Sequence, residues 1–166
     1  YYGGPLRPDY MRRGIDGHIY SVHAPGLPTL LIPSFLLGGA RGAVAFMALL
    51  GALAALAIFD VALALTSRPV AWVVWAAVCL AVPFVPHAWL IFPEMAGALI
   101  VAWAVGWLVG RGNTGVWRWV VRGAALSVLP WLHTKFVVFQ ALLGLAVAAR
   151  AAGVPFAPGA ESSRRD

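Results

Sequence analysis

The stretch GAVAFMALLGALAALAIFDVALALT, residues 42–66, carries a single charge, that of Asp60, in 25 positions. At 1.5 Å per residue a helix of this length measures about 38 Å, more than the ~30 Å hydrocarbon core of a bilayer requires. It lacks the polar face that a helix packed on a water-soluble core presents, so it reads as a membrane-spanning helix. Ala45, Ala48, Ala52 and Ala55 fall along one side of it, which suits close helix contacts in lipid. Four more apolar runs follow, at roughly 70–86, 94–110, 115–132 and 135–152, and the separators are Arg68-Pro69, Pro86 through Pro93, Arg111-Gly112-Asn113 and the corner Trp131-Leu132-His133-Thr134. Five spans are predicted, and Gly106 with Gly110 repeats the small-xxx-small spacing within the third. Upstream, residues 29–37 are apolar but too short to cross, and Gly38-Gly39 ends them, which predicts a juxtamembrane or re-entrant helix.

The fold class is therefore all-α integral membrane. Residues 1–28 form a polar external loop with short helical pieces, residues 29–152 a transmembrane helical domain and residues 153–166 a cytoplasmic polar tail. Composition agrees: 61% of residues are hydrophobic and 11% charged, against about 25% charged in soluble domains. The formal net charge of +6 comes from twelve basic residues scattered singly or in pairs, without the stripe that would grip nucleic acid. They orient the spans instead. Alternating the helices puts Arg68, Arg111, Arg118, Arg122, Arg150, Arg164 and Arg165 on one side and Arg7, Arg12, Arg13, Arg41 and Lys135 on the other. Short loops weigh most in the positive-inside rule, so the Arg68 side is cytoplasmic, with Trp117 and Trp119 anchoring it at the interface. Cys79, the one cysteine, lies in an apolar run and reads as a packing residue, which excludes a disulfide framework and a thiolate metal site. The chain opens Tyr1-Tyr2-Gly3-Gly4 with neither an initiator Met nor a signal-peptide pattern, as expected of a fragment or a processed product. Arg supplies eleven of the twelve basic residues, a bias that points to a GC-rich bacterial genome.

The same alternation gathers His18, His23, His87, His133, Glu94 and Lys135 on the external face. Ionisable groups in or beside a membrane are functional candidates, because an unpaired charge in hydrocarbon is costly. Each also has a plainer reading. Glu94, following Pro93, either caps a helix start against the positive end of the dipole or aims a carboxylate into a polar cavity. Lys135 beside His133 either marks the interface or grips an anionic head group such as phosphate. His23 is a loop histidine or one wall of a site, and His18 and His87 read more simply as loop residues. Asp60 reads as the partner of a cytoplasmic-side arginine such as Arg122, with a proton relay as the sharper alternative. No HExxH, CxxC pair, GxSxG, Walker A or GxGxxG spacing occurs in context, and no metal-ligand pattern is recognised.

In order along residues 17–110, His23-Ala24-Pro25-Gly26, Gly38-Gly39 with Arg41, the span ending at Arg68, Pro83 with Pro86, and Phe92-Pro93-Glu94 form a pattern. It resembles the GT-C membrane glycosyltransferases, in particular bacterial protein O-mannosyltransferases and aminoarabinose transferases. The corner Leu-Pro-Trp-Leu-His-Thr-Lys, residues 129–135, extends the resemblance to about 140. The motifs are weak singly and gain weight from their order. The resemblance implies a multi-pass protein of the bacterial inner membrane that moves a sugar from a polyprenyl-phosphate-linked donor to an acceptor at the external, periplasmic face. Membrane lipid and that donor are the implied partners, and a divalent cation stays open as a cofactor. It also implies a principal catalytic aspartate ahead of Tyr1, since Asp9 and Asp16 do not match that residue's context, so this chain alone would be inactive. Within it, Glu94 and His23 are the candidates to activate or orient the acceptor, and Lys135, His133, Arg12, Arg13 and His87 to hold the lipid phosphate. The competing readings are a non-catalytic scaffold or head-group-binding subunit and, with no internal repeat visible, less readily a transporter.

Overall fold

The computed structural model describes residues 11–13, 15–21, 24–110 and 115–154. Near the start, β1 (Met11–Arg13) and β2 (Ile19–Ser21) pair antiparallel, with Arg12 opposite Tyr20. The expected helical pieces of this segment are thus replaced by a ribbon. The reason is local: the Asp16 Oδ1 accepts the His18 backbone N–H at 3.1 Å and Gly17 takes φ +80°, which reverses the chain.

The remaining elements are all helical. α1 runs Gly26–Leu65, α2 Arg68–Cys79, α3 Phe84–His87, α4 Glu94–Val109, α5 Val116–Leu132 and α6 Val137–Ala151, with a single 3₁₀ turn at Thr134–Phe136. α1 is two helices joined at Gly38 and Gly39, whose backbone is non-helical; Gly39 has φ +57° and ψ −144°, a conformation that L side chains rarely adopt. This is the break the sequence predicts, with the first piece starting at Gly26 rather than residue 29. The reversal is sharp enough that a Cβ on Gly42 would lie 2.1 Å from the Ser34 carbonyl oxygen.

The run at 70–86 departs from expectation. α2 stops at Cys79 and α3 follows after a turn, because Pro83 and Pro86 lack the N–H groups and the backbone freedom to continue one helix. α4, α5 and the turn with α6 match the runs expected at 94–110, 115–132 and 135–152.

α4 is the central element, packed against the long second piece of α1 on one side and against α5 and α6 on the other. Small residues permit close approaches around it: a Cβ on Gly51 of α1 would lie 2.9 Å from the Cβ of Ala88, at the end of α3, and one on Gly97 of α4 would lie 2.6 Å from the Phe136 ring, in the turn before α6. Met47 and Leu129 are the largest fully buried side chains. No polar or charged residue among the described ones is buried as a whole, whereas many large apolar ones are exposed, among them Leu37, Val73, Leu142 and Leu145. That is the reverse of a water-soluble surface free of large apolar patches. The helix hydroxyls bond inward as well: Ser34 donates to the Leu31 carbonyl at 2.9 Å, Thr66 to Ala62 at 2.7 Å and Ser127 to Ala124 at 2.7 Å. Such self-satisfaction is what a solvent without hydrogen bonds demands. Two helices, Gly26–Leu65 and Thr134–Ala151, are long and apolar enough to cross a membrane.

Candidate functional site

One end of the bundle collects the start of α4, the turn after α5 and the short α3. Glu94 is the first residue of α4, placed there by Pro93, whose fixed φ suits a helix start. Three residues on, and therefore on the same face, Gly97 leaves the dent that receives the buried Phe136 ring. Docking Phe136 presses the turn Thr134–Phe136 against α4, and its neighbour Lys135 donates from Nζ to the Glu94 Oε1 in a salt bridge. The same ammonium lies 5.3 Å from the centre of the Phe136 ring. The other oxygen, Oε2 of Glu94, is buried and accepts no hydrogen bond from the described residues.

His133 caps the turn. Its Nδ1 accepts the Lys135 backbone N–H at 3.2 Å, so in this contact Nδ1 is unprotonated and the proton of the neutral ring sits on Nε2. His87 has the opposite tautomer, with Nδ1 donating to the Pro83 carbonyl at 2.5 Å. Both imidazoles thus present Nε2 to their surroundings, His133 as a donor and His87 as an acceptor.

Two cavities flank this cluster. One, of about 620 Å³, lies between the first piece of α1 and the bundle and is walled by Leu27, Leu31, Phe35, Ile91, Leu132 and His133. Nearby, Gly26 seats against α5, where a Cβ would lie 2.3 Å from the Trp131 carbonyl oxygen. The other, of about 470 Å³, is lined by His87 and Glu94 with Pro83, Phe84 and Met95. His133 therefore faces a long apolar groove, and the carboxylate faces a smaller chamber that it shares with His87.

Of the residues expected to converge, Glu94, Lys135 and His133 are joined by direct contacts and His87 shares a cavity with Glu94. Arg12 and Arg13 lie on β1, and His18 is exposed in the turn of the ribbon. His23 lies outside the described residues, although its neighbour Ala24 lines the apolar groove. Among the described residues no cluster of three or more potential metal ligands occurs. Gly97 and Phe136, which bring the pair together, were not singled out in the sequence; a glycine three residues after a candidate acid was the available signal.

The opposite end of the bundle holds the arginines. The Arg122 guanidinium stacks on Trp119 at 4.5 Å and on Trp107 at 5.5 Å, and Arg150 donates to the Gly110 carbonyl at 3.3 Å, satisfying the end of α4. The expected Asp60–Arg122 pair does not form, because the indole faces hold the guanidinium. Comparison with protein-family models, with curated proteins and with solved structures finds no match to this chain.

Proposed function

We propose that this chain is the membrane domain of a multi-pass glycosyltransferase of the GT-C kind, with five spans in a bacterial inner membrane and its working face at the Glu94 end. It moves a sugar from a polyprenyl-phosphate donor to an acceptor at the external side. The observation that carries the reading is the Glu94–Lys135 pair, whose carboxylate keeps a buried oxygen without a donor while facing a chamber beside an apolar groove. An acceptor oxygen without a donor among the described residues, facing a cavity, is placed to take a hydrogen bond from a substrate hydroxyl.

In this reading the groove takes the lipid chain and brings its phosphate to the rim at His133 and Lys135. Lys135 then exchanges Glu94 for the phosphate, which stabilises the negative charge that builds on it as the bond to the sugar breaks. The released Glu94 orients the acceptor or takes its proton. Support comes from the position of both residues at one rim and from the ordered motifs of the sequence. The alternative, a non-catalytic subunit that binds lipid head groups, draws on the same salt bridge, since a pair that satisfies itself needs no chemistry. Transfer from a radiolabelled polyprenyl-phosphate hexose by the full-length protein separates the two. Glu94→Ala and Lys135→Ala are each expected to lower the rate at least a hundredfold; wild-type rates in both variants would remove the pair from catalysis.

A further inference from the structure

Asp60 has no role in the reading above, and its surroundings point to a ligand. It lies on α1 five residues before the end of the helix at Leu65, in a stretch otherwise without charge. Its carboxylate takes part in no hydrogen bond or ion pair among the described residues. It lines a cavity of about 170 Å³ between α1 and α4, whose other walls include Trp103, Gly106 and Trp107. Trp103 is 43% exposed, so its indole is available to a visitor. Beside that cavity Trp107 also carries the Arg122 guanidinium, 5.5 Å from its ring centre.

A carboxylate that lines one cavity with two indoles attracts an ammonium group, since both the charge and the ring faces favour a cation. A carboxylate in an apolar segment without a counter-charge is costly, which gives that cation a reason to stay. Arg122 narrows the choice, because a simple cation is repelled by it and a purely anionic head group is repelled by Asp60. A zwitterion satisfies both. A primary ammonium donates hydrogen bonds to a carboxylate and a trimethylated one has none to give, so a carboxylate without a partner among the described residues favours the aminoethyl group. We infer that Asp60, Trp103 and Trp107 bind the primary ammonium of a phosphoethanolamine head group, with Arg122 beside its phosphate. The site sits at the arginine end of the bundle, in the leaflet away from Glu94, and it rests on the membrane reading and not on the transferase.

The experiment is native mass spectrometry of the purified full chain equilibrated with equal amounts of phosphatidylethanolamine, phosphatidylcholine and phosphatidylglycerol. One phosphatidylethanolamine should be retained at least fivefold over either competitor. Asp60→Asn should abolish that preference, Asp60→Glu should keep it in part, and Trp103→Ala, at a half-exposed position, should lose it without loss of folding. Added O-phosphoethanolamine that displaces the lipid would show the site to read the head group alone, and failure to displace would show that the acyl chains contribute; both agree with the site. Equal retention of the three lipids by the wild-type chain, or an unchanged preference in both Asp60→Asn and Trp103→Ala, would overturn it. A positive result with no sugar transfer by the wild-type full-length protein would leave this site standing and the transferase reading fallen.

Discussion

Lys135 is the one lysine of the chain, and its reach back to Glu94 explains what neither residue explains alone. Nearly half of the Lys135 side chain is exposed, so water screens the pair and its net worth is modest, ~0.5–1 kcal/mol. A double-mutant cycle should therefore give a coupling of about that size between Glu94→Gln and Lys135→Met, read from reversible unfolding in mixed micelles. Additive effects would mean that Phe136 in the Gly97 dent holds the turn unaided. The weakness of the pair is compatible with exchange: an ammonium bound this loosely can change partners when a phosphate arrives. Asp60 teaches the converse. Charge counting made an arginine its partner, whereas the indoles of Trp107 and Trp119 compete for the Arg122 guanidinium and hold it.

At the scale of elements, the break in α1 decides where the apolar groove lies. Gly38 and Gly39 both have open space where a Cβ would sit, so crowding does not distinguish them, and only Gly39 has a positive φ. Gly39→Ala should thus cost about 1–3 kcal/mol through backbone strain, and Gly38→Ala should stay within about 0.5 kcal/mol of the parent. Thermal unfolding of the two variants side by side checks this, and equal effects would show that the reversal tolerates another backbone path. The division of the run at 70–86 belongs to this scale too. Its apolar composition hides the stop, which only the prolines at 83 and 86 mark.

For the whole molecule the arrangement of ends is the main result: Glu94, Lys135, His133 and His87 at one, Arg122 and Arg150 at the other. In the five-span reading these ends face opposite sides of the membrane, and Cys79 makes that measurable, because the one cysteine is buried and leaves little labelling background. Thr134→Cys should react with an impermeant maleimide in intact cells stripped of their outer membrane, and Ser67→Cys only after permeabilisation. Labelling of both from one side would end the five-span topology. Which segments form helices, and where most of them stop, was determined by sequence alone, because apolar runs punctuated by Pro, Gly and Arg are local signals that solvent and backbone geometry read directly. Tertiary structure alone decided that Glu94 meets Lys135 across 41 positions and that Asp60 lines one cavity with Trp103 and Trp107. Such meetings depend on how each helix is rotated against its neighbour, which single glycines at 51 and 97 settle by letting one ring or backbone come close. In helices built almost wholly of Ala, Val and Leu, no hydrophobic stripe announces that rotation beforehand.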